Sequence, residues 1–179
     1  LRSKNIKMGN GILIEGSMKL VPQTKRSGKL NIIAVASFAF WHGYDRLLKA
    51  IAEVKQTHPQ IELHLTLVRS GNVLPELKKM VDELNINSQV DFTGALYGQE
   101  LDYIYENMDI GVSSLALYRK GLSEASDLKT REYMAKGLCV MGAGKDPDFN
   151  DNSPYRFLVP NDEGIALVAD MLIKLAYLK

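Results

Sequence analysis

Residues 31–56 read NIIAVASFAFWHGYDRLLKAIAEVKQ, and their reading decides the fold. The first seven, NIIAVAS (31–37), form a short unbroken apolar run, as in a strand buried on both faces. From Tyr44 the period changes. Leu47, Leu48, Ile51, Ala52 and Val54 recur at helical spacing, which predicts an amphipathic helix over 44–56. A buried strand followed by such a helix is the first half of a βαβ unit.

The same alternation continues downstream. IELHLTLVR (61–69) reads as strand, and LPELKKMVDELN (74–85) as a helix with Leu77, Met80, Val81 and Leu84 on one face. VDFTG (90–94) is strand, GQELDYIYENM (98–108) helix and DIGVSS (109–114) strand. A charged helix then leads into LCVMG (138–142), and YRFLVP (155–160) is the last strand. Asn161 or Asp162 is expected to cap the final helix, EGIALVADMLIKLAYL. The fold class is therefore α/β: a doubly wound, mostly parallel, Rossmann-like sheet with helices on both faces. Residues 30–179 make this domain. Residues 1–29 are heterogeneous, with an Asn10-Gly11 turn signal, and read as a connector with one or two short strands.

A chain of 179 residues can bury a real core, and 46% apolar with 24% charged residues is a globular composition. A formal net charge of +1 gives no global field for nucleic acid. There is no bilayer-length apolar run and no charged-then-apolar leader, so a cytoplasmic place is expected. The chain opens at Leu1 and is read as part of a longer protein. Cys139 is the only cysteine, which excludes an internal disulfide and a multi-cysteine zinc site.

In such sheets, ligands sit beyond the carboxyl ends of the strands, where strand order reverses. The loops to inspect are 37–43, 69–74, 94–97, 114–126 and 142–150. None carries G-x-G-x-x-G, a P-loop or G-x-S-x-G, so dinucleotide, P-loop and esterase chemistry are disfavoured. A receiver-type signalling domain would need clustered acids after the first strand, where this chain has SFAFWH. In that loop, Phe38 and Phe40 read equally as buried aromatics or site walls. His42 is the strongest histidine candidate, and Gly43 beside it would let a ligand approach the backbone. His64, inside a strand, reads as structural. Asp146 and Asp148 form D-x-D, a pattern that can hold a cation, but Pro147 and the polar run 146–154 favour an ordinary surface turn.

The richest stretch is LSEASDLKTREYMAKGL (122–138). Ser126 is read as an N-cap, Asp127 as the first helical residue and Gly137 as the terminating glycine. First-turn amides carry partial positive charge and suit a phosphate, with Lys129 and Arg131 nearby. Glu124 stands before the helix and Glu132 about two turns inside it. Carboxylates of this kind accept hydrogen bonds from pairs of sugar hydroxyls. A solvated helix with ordinary charged pairs explains the same spacing equally well.

At this point the chain resembles the C-terminal, donor-binding domain of GT-B-fold retaining glycosyltransferases, which carry an E-x7-E signature. Here the signature is Glu124-ASDLKTR-Glu132. VASFAFWHGYDRLLKAI, VDFTGAL and LDYIYENMDIGVSSL resemble the family's other motifs in the same order, over residues 30–165. IKMGNGI resembles its interdomain linker. The similarity is greatest to enzymes of bacterial surface polysaccharide synthesis. It implies one half of a GT-B fold that takes a nucleoside-diphosphate sugar, uses no metal or other cofactor, and is inactive alone. A glycan or lipid-linked acceptor would sit on an absent N-terminal domain, and the whole enzyme would associate peripherally with the inner membrane face. By resemblance, Glu124 binds donor-sugar hydroxyls, Glu132 holds the ribose, and the backbone of Ala125, Ser126, Asp127 and Leu128 cradles the diphosphate. Residues Val90–Gly94 lie near the base, with Gly94 a donor contact. Ser37, His42 and Gly43 complete the donor loop. The family carries Arg and Lys where this chain has Ser37 and His42. The phosphate charge is therefore expected from Arg119, Lys120 or Lys129, which join Glu124 as candidate catalytic residues. The missing basic pair also keeps open a non-catalytic binding or assembly module of the same fold.

Overall fold

Six parallel strands form the sheet: β1 (Lys29–Val35), β2 (Glu62–Val68), β3 (Val90–Gly94), β4 (Ile110–Val112), β5 (Cys139–Ala143) and β6 (Arg156–Val159). Their order is β3-β2-β1-β4-β5-β6. Five helices connect them: α1 (Tyr44–Thr57), α2 (Leu74–Glu83), α3 (Gly98–Tyr105), α4 (Leu128–Ala135) and α5 (Ala166–Ala176). This computed structural model describes residues 11–12, 27–150 and 152–178. The expected connector over 1–29, with its Asn10-Gly11 turn, falls outside them apart from 11–12 and 27–29.

The apolar run in β1 is unbroken because its residues feed two layers. Ile32 and Ala34 join Leu65 and Leu67 beneath α1, α2 and α5. Ile33 and Val35 join Val68 and Val140 beneath α3 and α4. The doubly wound Rossmann-like sheet predicted from sequence is the fold observed. Strand order reverses between β1 and β4, and the loops that follow these two strands meet there, the Leu115 N–H donating to the His42 carbonyl at 2.8 Å.

The β1–β4 join is short, pairing only Ile32 with Ile110 and Ile33 with Gly111. Tyr133 of α4 completes it. Its hydroxyl accepts the Val35 N–H at 2.8 Å and donates to the Val112 carbonyl at 3.4 Å. From the other layer, the Tyr44 hydroxyl donates to the same carbonyl at 3.5 Å. The Tyr133 ring packs against Gly111, where an added Cβ would sit 2.3 Å from it.

Two boundaries differ from expectation. β1 ends at Val35, so Ser37 is an exposed loop residue. The final helix starts at Ala166 with Ile165 before it, not at a cap on Asn161 or Asp162. Both polar residues have other work. The Asn161 side chain accepts the Tyr118 N–H at 3.0 Å and donates to the Leu122 carbonyl at 2.8 Å. Asp162 Oδ1 accepts the Gly164 N–H at 2.8 Å and pairs with Arg46. Arg46 lies on α1 yet is only 1% exposed, and its guanidinium gathers the carbonyls of Leu115, Pro160 and Gly164. Among the described residues, no helix is long and apolar enough to cross a membrane.

Candidate active site

The start of α4 carries the polar centre. Asp127, not Ser126, is the N-cap, with extended φ −78° and ψ 126°. The helix therefore begins one residue later than its sequence suggests. The Asp127 side chain makes no capping bond. It turns to the end of β4, where Oδ2 accepts from Ser113 Oγ at 2.7 Å and Ser114 Oγ at 3.2 Å. The first-turn amides are thus left without a side-chain cap, which keeps their partial positive charge for another acceptor. Ser126 Oγ instead donates to Asp148 at 3.1 Å.

Lys129 stands on the same polar base. Its Nζ donates to Ser114 Oγ at 3.1 Å and lies 3.4 Å from Asp127 Oδ2, with the side chain 15% exposed. Burial pushes the Lys129 amine below its ordinary value, and the Asp127 charge opposes that. Burial works to raise the Asp127 carboxyl, but Lys129 and the two serine hydroxyls hold it below the carboxylate range. Thr130 is buried beneath them and donates to Ser113 Oγ at 3.2 Å.

The two glutamates are set by different means. Glu124 is exposed on a loop stitched to the end of β5: Ala125 N–H donates to the Lys145 carbonyl at 2.9 Å, and Lys145 N–H to Ser123 at 2.8 Å. Glu132 is half-buried on α4 and accepts from the Tyr105 hydroxyl at 3.1 Å. Between them, Arg131 folds back along α4, donating to the Asp127 carbonyl at 3.1 Å. It clamps Asp146 at 2.5 and 2.8 Å and also contacts Asp148. Asp146 is buried, so the D-x-D segment is a latch for α4. Leu128 is exposed at the first turn.

The 37–43 loop is more closed than its glycine suggests. Gly43 is buried at φ 68°, and an added Cβ would lie 2.8 Å from Ala116 Cβ. The backbone it admits is that of the loop after β4, not a ligand. His42 is also buried; its Nδ1 accepts the Ala39 N–H at 3.0 Å and its ring stacks on Tyr44. Burial, reinforced by the nearby Lys129 charge, pushes His42 down to about 4. The ring is neutral at pH 7. Phe38 is core, whereas Phe40 is 58% exposed and lies under Arg119, whose guanidinium carbon is 4.5 Å from the ring centroid. Arg119 itself is held bidentately by Asp45 at 2.7 and 2.8 Å. Lys120 rests on Trp41, 4.5 Å from its ring.

Sequence reasoning missed Ser113, Ser114, Tyr105 and Tyr133 as members of the site. The paired serines directly after an apolar strand were the available signal. It brought forward Lys129 and Asp127, which meet, and Arg119, which the fold commits to Asp45. Gly94 is exposed at the end of β3, and its carbonyl accepts the Arg69 N–H at 2.6 Å. His64 meets Asp91 at 2.9 Å, away from this centre.

In fold, the chain is similar to a TarM variant of S. aureus solved with fondaparinux, α-GlcNAc-glycerol and UDP (TM-score 0.71, 17% identity, 98% of this chain, 33% of that one). It is similar to the pneumococcal O-GlcNAc transferase GtfA solved with UDP and GlcNAc (TM-score 0.60, 17% identity, 90% of this chain, 29% of that one). It also matches a C-terminal domain of a group 1 glycosyl transferase, LpcC, of Francisella tularensis (TM-score 0.61, 19% identity, 91% of each chain). The chain thus spans about a third of the first two proteins and nearly all of the third. No curated protein matches it by sequence. The family model for glycosyl transferases group 1 matches residues 29–176, the whole of the sheet and its helices, and the chain belongs to that family.

Proposed function

We propose that this chain is the donor-binding half of a retaining glycosyltransferase that moves a sugar from a nucleoside-diphosphate sugar to a glycan or lipid-linked acceptor. The observation that carries this reading is the α4 start, where the N-cap carboxylate serves Ser113, Ser114 and Lys129 instead of capping the helix. An uncapped helix start with a lysine beside it suits a diphosphate. Glu124 and Glu132 on either side suit the hydroxyls of the donor sugar and of the ribose. As the diphosphate leaves, the amides from Ala125 to Leu128 and the Lys129 charge stabilise the negative charge that develops. Lys129 then does the work of the basic pair absent at Ser37 and His42, while Lys120 stands further out on Trp41. No metal is required in this scheme. The TarM and GtfA structures hold UDP, which makes UDP the first ligand to try.

Sugar transfer needs the acceptor oriented across a cleft, which a second domain would supply. The chain alone should bind donor and transfer nothing. The parent enzyme is placed in the cytoplasm, peripheral to the inner membrane face, in surface polysaccharide synthesis. The missing basic pair favours one rival, a non-catalytic binding module. Turnover of labelled sugar nucleotides by the full-length parent separates the two.

Calorimetry tests the site directly. UDP or GDP should bind the wild-type chain, Glu132→Ala should abolish binding, and Lys129→Ala should weaken it at least about tenfold, the loss of one charge-assisted contact. Lys174→Ala, on the exposed face of α5, should change nothing. Equal losses at Lys129 and Lys174, or no binding of any nucleoside diphosphate, would overturn the reading.

A further inference from the structure

Arg69 follows β2 directly and is held at φ 86°, in the left-handed region. Asn85 is the other described non-glycine residue there, and a short amide side chain tolerates that conformation far better than arginine does. The backbone around Arg69 is pinned. Its N–H donates to the Gly94 carbonyl at 2.6 Å, and the next carbonyl, of Ser70, accepts the Phe38 N–H at 2.9 Å. Glycine would suit this position with less strain. What selects arginine must therefore be the side chain.

That side chain has no hydrogen-bonded or ion-paired partner among the described residues, and its Nε is buried without an acceptor. The guanidinium carbon lies 5.3 Å from the ring centroid of Tyr97, which is 62% exposed. The Arg69 charge is also felt by the Tyr105 and Tyr133 hydroxyls, where it opposes the rise that burial imposes on both. Tyr105 is the donor to Glu132. Two contacts therefore stand at this edge: Arg69 on Tyr97, and Tyr105 on Glu132 of α4. An unpaired guanidinium on an exposed aromatic ring, at the carboxyl edge of the sheet, is a platform that lacks its acceptor.

We propose that Arg69 and Tyr97 select the nucleobase: the base stacks on the Tyr97–guanidinium platform, and the Arg69 fork donates to a ring carbonyl oxygen. Uracil and guanine carry such an oxygen; adenine does not. This rests on the donor-binding reading above, in which Glu132 holds the ribose. Arg69 is then a specificity-determining residue, and its strain is retained for binding rather than for the fold.

The test is calorimetry on the 179-residue chain with UDP, GDP, ADP and inorganic pyrophosphate, alongside thermal melts. The wild type should prefer UDP or GDP over ADP. Arg69→Gly should weaken the preferred ligand at least tenfold, erase that preference, leave pyrophosphate binding unchanged, and keep or raise Tm. Arg69→Lys, which keeps the charge but not the planar fork, should also lose the preference. Tyr97→Ala should weaken every base and spare pyrophosphate. A preference that survives Arg69→Gly overturns the inference. So does an equal loss of pyrophosphate, which would put Arg69 on the phosphates, or a lower Tm, which would make its role structural. Failure of the wild type to bind any nucleoside diphosphate would instead bring down the donor-binding reading itself.

Discussion

Helices α4 and α5 lie on opposite faces of one sheet and are held there by different forces. α5 buries Val168, Ala169, Leu172, Leu175 and Ala176, a broad apolar stripe. α4 buries only Thr130 and Tyr133. Thr130 reaches the Ser113 hydroxyl, and Tyr133 reaches the backbones of β1 and β4. α5 is fastened by area, which is insensitive to direction. α4 is fastened by a few directional bonds and the Arg131–Asp146 latch. Its remaining surface is thereby left for Lys129, Glu132 and the uncapped first turn. A helix that must present polar groups at one end cannot also be wrapped in hydrocarbon.

The contrast can be broken most forcefully at its two anchors. Tyr133→Ala should destabilise by about 3–5 kcal/mol, and Leu172→Ala by about 2–5 kcal/mol, as measured by urea unfolding. The two should part company on ligand binding. At a temperature where both variants are folded, only Tyr133→Ala should weaken nucleoside-diphosphate affinity. Equal effects on affinity would mean that α4 is not positioned locally.

A smaller effect is expected from Tyr133→Phe. It keeps the ring on Gly111 but leaves the buried Val35 N–H without its acceptor, at about 1–3 kcal/mol. A neutral result in urea would show that α4 is held by its ring alone, as α5 is by its leucines.

A further effect is a pH slope set by His42, beside the α4 start. His42, which feels the Lys129 and Asp127 charges, is pushed from 6.5 down to about 4 in the fold. Between those values the unfolded chain binds more protons, so stability rises with pH across this window. The His42 contribution is complete above pH 6.5 and is lost as pH falls toward 4. Urea midpoints at pH 7 and pH 5 should differ less in His42→Gln than in wild type. An unchanged difference would mean that His42 is not held neutral.

The layered fold was legible because its signals are local. The run at 31–37 and the helical period from Tyr44 are properties of neighbouring residues, and strand β3 falls on the predicted 90–94. Within the site, E-x7-E and Lys129 could be found by spacing. Their partners could not. Asp45 and Arg119 are 74 positions apart, and nothing near Arg119 signals that Asp45 will claim it. The shift of the α4 cap from Ser126 to Asp127 has the same origin, since the serines that draw Asp127 directly follow β4. Arg46 shows the limit most plainly. Its place on a helix of exposed and apolar residues suggests solvent, yet the carbonyls of two distant loops enclose it.

The amino-acid sequence alone determined the βα alternation, the two-faced burial of the sheet and the candidate glutamates, because periodicity and composition act over a few residues. Tertiary structure decided which charges remain available. It committed Arg119 to Asp45 and Arg131 to Asp146, seated Lys129 on Ser114 just after β4, and left Arg69 on Tyr97 without an acceptor. The physical reason is that a buried charge takes the nearest compensating group in space, and the order of residues along the chain does not state which group that will be.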